Sequence, residues 1–547
     1  MIFFRLLIGE EMRNRLKIIC MYIILILNNA FGVICPKLDN APTCPTTGSV
    51  LLDETYPTQA FVISNSPQGK GLQSSKVTTE YINAIAKNYD YENIPQIFVP
   101  VMTDLDFDKI ILSVKSKLEK NKIDPEKIKN VISQISHVKS ESYTWQQDYF
   151  ESFVDLETGK PVLREFQSYL QSRPEVKGAV EEIQQLGKNC QITKGKYLES
   201  FHSKNPSDIK DVSFGNGEMG GNIEGAPGGF CLIGDNQSKR LTTQYCGNEE
   251  NIIQLQTSWL NVGHVDEIFK IIPSKFNDGR PSECQFSLMS ASPKKAFELM
   301  SNSTSKTRPF YSFSSKLNSD ELKEVRVSRS IDNGHTYGNK LICDYIFNSL
   351  KSGKFIPNNK KDQNNIFKAR SVFINLIIGN AFANLTKNET KCEDYIDKIP
   401  NEIIEESIRN DNDLFNLNMA IQDSIEKDKQ LIKSKIVSRL PQCEKYFDFL
   451  DVPDLFYGSP AIEKNGKLEL PKPSDVKSFL PNPTNSVLMN RTILLPESAN
   501  PAFDTYVEEE LRKRKINTDK IDTWDYAHIG EGNIHCSSHS IPYCKPR

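Results

Sequence analysis

Beyond residue 40 the chain has no run of 18 or more apolar residues, so nothing there reads as a membrane-spanning helix. It has no CxxC pair, the usual mark of a structural zinc site. A long basic block is also missing. The 67 Lys and Arg face 70 Asp and Glu for a net charge of −3, which gives no footprint for nucleic acid. No strict-period repeat is visible. What remains is globular composition, 38% hydrophobic and 25% charged over 547 residues, enough to bury a sizeable core.

The long apolar stretch that does exist lies at the start. "MRNRLK" from Met12 is a basic leader to "IICMYIILIL", and Ala30 and Gly32 stand at −3 and −1 of a cut before Val33. Residues 1–32 therefore read as an export signal and 33–547 as the mature protein, secreted or periplasmic. The signal removes Arg5, Arg13, Arg15 and Lys17 against Glu10 and Glu11, so the charge moves from −3 to about −5. Of 12 cysteines, Cys20 leaves with the signal. An odd number remains, and in an oxidising compartment at least one thiol must stay unpaired.

Along the chain, short apolar runs alternate with helical patterns. "AFVIS" (60–64) and "QIFVPV" (96–101) read as buried strands, each followed by a helix, "SSKVTTEYINAIAKNY" and "FDKIILSVKSKLEK". The alternation returns at "GGFCLIG", "NIIQLQ", "QFSLMSA" with "PKKAFELMS", and "SVLMNRTILLP" with "PAFDTYVEEELRKRK". This predicts an α/β architecture of several similar units. Residues of about 301–410, rich in Lys, Asn and Ser, read as a polar, partly helical insertion. "LFNLNMAIQDSIEKDKQLIKSKIV" then predicts an amphipathic helix, and "NGK" with "ELPKP" a loop around 465–473.

Three stretches gather polar groups among apolar neighbours. "YTWQQDYFE" (143–151) holds Trp145, Gln147, Asp148 and Glu151. "SWLNVGHVDEIF" (258–269) places His264 and Asp266 around Val265, on one face if the segment is a strand. "GEGNIHCSS" (530–538) leads, as a strand, to Cys536. Singly each has an ordinary explanation: a satisfied core histidine, a disulfide, a loop around a buried indole. Together they supply carboxylates that can grip a planar cation, a histidine that moves protons near neutrality, and a thiolate that attacks carbon.

With "LMSASPKKAFELM" and "LPNPTNSVLMN", these segments resemble, in order and character, the catalytic domain of the peptidylarginine deiminases of the guanidino-group-modifying (pentein) superfamily. The resemblance covers most of residues 50–547 apart from the insertion. It implies a five-bladed α/β propeller and hydrolysis of protein arginine to citrulline. Cys536 matches the nucleophile and His264 the general acid/base. Asp148 and Asp266 match the carboxylates that hold the guanidinium, and Trp145 the aromatic packed on the substrate's aliphatic stem. The cysteine is then the unpaired one.

The resemblance also implies a calcium site built from Gln147, Glu151 and Glu224, with carbonyls from Gly220 and Ile223. Oxygen donors of this kind suit a hard cation. The family's second site is altered, with Tyr149 and Gln167 at its acidic positions. Arg173 is the nearest candidate for the arginines that grip a peptide backbone, and His539 replaces an expected Asn. The alternatives are a deiminase of free arginine, agmatine or another small guanidine, and a non-catalytic guanidinium binder. A papain-like protease is disfavoured because its cysteine precedes its histidine.

Overall fold

Each apolar run is short, bounded by turn residues and flanked by an amphipathic segment, and each becomes a strand of a small mixed sheet. A computed structural model describes residues 35–36, 41–45, 51–65, 74–140, 145–148, 150–166, 178–195, 220–235, 239–274, 280–302, 412–459, 461–464, 466–470, 476–498, 500–523, 527–528 and 532–546. Residues 1–32, expected as an export signal, nearly all of the expected insertion at about 301–410, Tyr149, Gln167 and Arg173 lie outside these residues.

The first sheet contains β1 (Thr58–Ile63), β2 (Gln96–Pro100) and β3 (Ile135–Val138). The second contains β4 (Phe150–Val154), β5 (Pro161–Glu165) and β6 (Thr193–Lys194). The third contains β7 (Ile223–Ala226), β8 (Phe230–Gly234) and β9 (Ile252–Leu255), and the fourth β10 (Phe269–Pro273), β11 (Phe286–Ser292) and β12 (Phe449–Pro453). Two minor pairs follow. β13 (Phe456–Tyr457) takes β16 (Lys477–Ser478), and β14 (Ile462–Lys464) takes β15 (Lys467–Glu469). The fifth sheet is β17 (Val487–Met489), β18 (Thr492–Pro496) and β19 (Asn517–Ile521). Last comes β20 (Ser538–Pro542), which returns to the first sheet beside β1, pairing Val62 with His539.

These sheets share one grammar. β5, β8, β11 and β18 each pair antiparallel with the strand before and parallel with the strand after. β1 does the same, with β20 as its antiparallel neighbour and β2 as its parallel one. A parallel step needs a crossover, and a helix supplies it: Ser74–Asn88, Ala179–Leu186, Lys239–Cys246 and Pro501–Lys513 in four of the units. The sequence thus alternates as it does because one hairpin-plus-crossover unit recurs.

Local rules set the ends of the helices. Asp104–Lys120 starts where the Thr103 side chain accepts from the Asp106 N–H, and it buries Ile110, Val114 and Leu118 on one stripe. The Asn500 side chain caps Pro501–Lys513 in the same way. Asn412–Arg439 is the expected long amphipathic helix; Leu417, Ile421, Ile425, Ile432 and Ile436 face a core shared with β8, β9 and β11. Helix Pro125–Gln134, capped by Asp124, falls where no separate helix was expected, because its apolar positions run on from the preceding one. The loop expected at 465–473 is partly a hairpin. Gly466, at φ 71°, turns β14 into β15.

No described helix is long and apolar enough to cross a membrane. Four disulfides join Cys35 to Cys190, Cys44 to Cys544, Cys231 to Cys246 and Cys284 to Cys443. Cys343 and Cys392 lie outside the described residues.

Candidate active site

The repeated unit places a turn just before its first strand, and the expected site residues come from those turns. Asp148 ends the turn Gln146–Asp148 ahead of β4. The turn Gly220–Asn222 precedes β7, where Glu224 lies. Val265–Glu267, with Asp266 at its centre, precedes β10, and Cys536 lies two residues ahead of β20. This corrects two readings. His264 and Asp266 do not alternate on a strand; His264 is extended, and the next three residues form a tight helical turn. Residues 534–537 are likewise a turn, and the strand begins only at Ser538. Turns suit the task, since they let neighbouring side chains converge on a point rather than alternate across a sheet.

Cys536 is buried and is the free cysteine among the described residues. Its thiol donates to Asp266 Oδ2 at 3.3 Å and accepts from Asn485 Nδ2 at 2.9 Å. His264 Nδ1 lies 4.0 Å from Asp266 Oδ1. Ligand-type atoms of His264, Asp266 and Cys536 all lie within 4.8 Å of one another. A side chain on Gly221 would run into the His264 ring, so the turn before β7 forms a wall against the imidazole. Trp145 packs against Gly532 on the approach to Cys536, and a Cβ at Gly532 would collide with the indole.

Electrostatics divides the site. Burial, and after it Asp266, raises the Asp148 carboxyl well above its usual range. Burial also pushes the Cys536 thiol well up, with Asp266 and Glu267 adding to it and Asn485 opposing. Two acids and a thiol shut away from water favour a cation between them, because a cation would offset what raises Asp148 and Cys536. A guanidinium, planar and able to donate to paired carboxylates, has that form.

Behind Asp266 lies a second polar group. His535 meets Asp266 Oδ2 at 2.8 Å through Nδ1 and Glu54 Oε1 at 2.5 Å through Nε2. Lys270 closes the chain with an ion pair to Glu54. Burial disfavours the charged ring, but Glu54 and other acids raise His535 to about 10. Burial likewise works against the Glu54 carboxylate, yet Lys270 and His535 hold it down at about 2.

Gln147, Glu151 and Glu224 adjoin this group. Gln147 Nε2 lies 3.0 Å from His535 Nδ1, and Glu224 Oε1 is 3.7 Å from the same nitrogen. Burial and then Glu224 raise Glu151 well above its usual range, and burial drives Glu224 to about 8. The Gln147 Oε1 atom is buried without a hydrogen-bond partner among the described residues. His539 is on β20 against the Phe150 ring, at 4.4 Å between centroids, and burial holds it neutral with a value of about 3.

The structure thus brings His264, Asp266 and Cys536 together, sets Asp148 within electrostatic reach, and gathers Gln147, Glu151 and Glu224 next to them. Sequence reading missed Asn485, His535, Glu54 and Lys270. Asn485 stands before β17, in the same place in its unit as Asp148, Asp266 and Cys536 in theirs. The buried polar run Asn482, Thr484, Asn485 and Ser486, set directly against an apolar strand, was the available signal.

A family model described as "Protein-arginine deiminase (PAD)" matches residues 234–542. Among solved structures, an agmatine deiminase of C. Jejuni is similar at 11% identity and a TM-score of 0.39, covering 92% of this chain and 98% of that one. A Porphyromonas gingivalis structure put forward as an arginine deiminase gives 10% identity and a TM-score of 0.42, covering 91% and 98%. Scores of that size do not by themselves carry an assignment. No curated protein matches.

Proposed function

The chain belongs to the protein-arginine deiminase (PAD) family and is a hydrolase that modifies guanidino groups, and from that premise we propose that it converts arginine residues of proteins to citrulline and ammonia. The observation that carries the reading is a buried free thiol held between Asp266 and Asn485, with His264 and a cation-poor Asp148 beside it.

Asp148 and Asp266 receive the guanidinium and orient its carbon toward Cys536 Sγ. The arriving cation eases ionisation of the thiol, and His264 takes the thiol proton. Sulfur bonds to the guanidinium carbon, a C–N bond breaks, and His264 protonates the departing ammonia. Water then attacks the thiouronium carbon while His264 accepts its proton. The C–S bond breaks, the thiolate returns, and the citrulline side chain leaves. Trp145 packs on the aliphatic stem of the arginine.

Gln147, Glu151 and Glu224 are the residues that would hold calcium. The fit rests on an oxygen donor set, an orphaned Gln147 Oε1, and a buried Glu151 carboxyl that Glu224 helps to raise. When bound, the ion would supply fixed positive charge. The residues that do chemistry are others, so these three act by ordering the turn that carries Asp148.

Residues 33–547 are proposed as one deiminase domain interrupted at about 301–410, and the five-fold recurrence of one sheet pattern supports a five-bladed propeller. Residues 1–32 are proposed as a cleaved signal for secretion or the periplasm; the four disulfides support an oxidising compartment.

Mass spectrometry of an arginine-containing protein, free arginine and agmatine, each with calcium or chelator, tests the reading. A mass gain of citrulline in the protein substrate is expected. Turnover of free arginine or agmatine alone moves the assignment to a small-guanidine deiminase, and turnover of none overturns it.

A further inference from the structure

We propose that Asn485 is the hydrogen-bond donor that holds the Cys536 thiolate. The orientation of its amide is fixed by groups whose roles cannot change. The backbone N–H groups of His535 and Cys536 both donate to Asn485 Oδ1, at 3.1 and 3.3 Å. Backbone N–H groups only donate, so the oxygen must face them and the nitrogen must face the other way. That nitrogen has two hydrogens and two acceptors, Asp266 Oδ2 at 2.7 Å and Cys536 Sγ at 2.9 Å. One fully buried side chain therefore ties the nucleophile's backbone, its sulfur and a guanidinium-binding carboxylate into one unit.

The anchor is itself anchored. The Asn485 N–H donates to the Asn482 carbonyl at 3.2 Å. Asn482 Oδ1 accepts from the Thr484 N–H and hydroxyl, and its amide donates to the Glu267 carbonyl. The turn before β17 is thereby pinned to the turn bearing Asp266, so the amide meets the sulfur without having to reorganise.

Electrostatics explains why the position needs a donor. The thiol's other hydrogen-bond partner is a carboxylate, which favours S–H and opposes S⁻. Among the described residues, Asn485 supplies the N–H that reaches the sulfur. An N–H donor loses nothing when sulfur ionises and strengthens as charge builds, the behaviour wanted at a nucleophile. For its effect on turnover the inference rests on Cys536 being the nucleophile, but its effect on the thiol can be read without turnover.

The test is alkylation of Cys536 by iodoacetamide, followed on its own peptide by mass spectrometry across pH, in the full chain and in Asn485→Asp and Asn485→Ala. Asn485→Asp keeps an oxygen for both backbone N–H groups, which Asn485→Ala gives up, and turns the donor into an acceptor. The expected result is a midpoint moved to higher pH, with the rate at a fixed pH below it down about tenfold or more. The melting temperature of Asn485→Asp should fall at neutral pH, since a second buried carboxyl then sits beside Asp266. A wild-type pH midpoint in folded Asn485→Asp overturns the inference, whatever happens to stability. Absence of any deiminated product with the alkylation shift intact would instead remove the proposed reaction and leave this contact standing.

Discussion

Two sets of buried acids meet at Asp266, and only one of them comes with its own cations. On one side Glu54 and Asp266 are matched by Lys270 and His535 in a continuous chain of ion pairs and hydrogen bonds. On the other, Asp148 has burial and Asp266 both acting to raise its carboxyl, with no described residue acting to lower it. The first set is a finished structure. The second is a strained arrangement, and buried groups perturbed in this way cluster at functional sites. Glu151 and Glu224 stand between these cases, raised by burial and by other acids while His535 pulls the other way.

The largest test of that contrast is the nucleophile itself. Cys536→Ala should abolish ammonia release while leaving the melting temperature near that of the wild type, since a small buried thiol is replaced by a methyl. Full activity in the folded variant would sink the mechanism.

Next, the two aspartates should separate. If both hold the guanidinium as proposed, Asp148→Asn and Asp266→Asn each remove a charge-assisted contact, about 1.5–3 kcal/mol, so kcat/KM should fall tenfold or more in both. Their stabilities should move in opposite directions. The folded Asp148 carboxyl binds its proton more tightly than the unfolded one, so its contribution is favourable at low pH and is lost as pH rises. Asp148→Asn should therefore melt higher than the wild type at neutral pH. Asp266→Asn gives up the carboxylate that meets His535 and should melt lower. Equal shifts in calorimetry would mean that the two sets of acids are alike.

A smaller effect should come from chelation. Removing calcium is expected to lower the rate and adding it back to restore it with a single-site dependence. Glu224→Gln should weaken the calcium response more than the rate at saturating calcium. A fully chelated enzyme that keeps its rate would make the Gly220–Glu224 stretch a structural turn only.

The smallest concerns an acid far from the chemistry. Burial raises Asp428 to about 7, although its carboxylate accepts from the Gln256 N–H at 2.9 Å. Its stabilising contribution is full below the ordinary value of 3.8 and is lost as pH climbs through about 7. Asp428→Asn should match the wild type near pH 4 and melt a few degrees higher above pH 7. A flat difference across that range would show that the group titrates normally.

Much of this was legible in the sequence, and for a common reason. "AFVIS", "QIFVPV" and "QFSLMSA" became β1, β2 and β11 because a short apolar run between helical patterns has few other fates in an α/β chain. Trp145, Asp148, His264, Asp266 and Cys536 could be singled out because side chains of unusual chemistry sat among apolar neighbours, and the family resemblance supplied the roles expected of them. Glu54 and Lys270 were not, since an acid in a polar lead-in and a lysine in a strand look like solvated surface until the fold presses them together. The strand reading of His264 to Asp266 failed because period-two spacing also fits an extended residue followed by one tight turn.

The place of β20 beside β1 also sets an order of events. A ribosome makes the chain from the amino end, and the turn carrying Cys536 is made after the segments that carry Asp148, His264, Asp266 and Asn485. β1 must wait for its antiparallel neighbour, and the bond from Cys44 to Cys544, 500 residues apart in sequence, can form only after that docking brings its ends within reach. On the proposed roles, a partly made chain therefore carries the acids of the site before it carries the thiol.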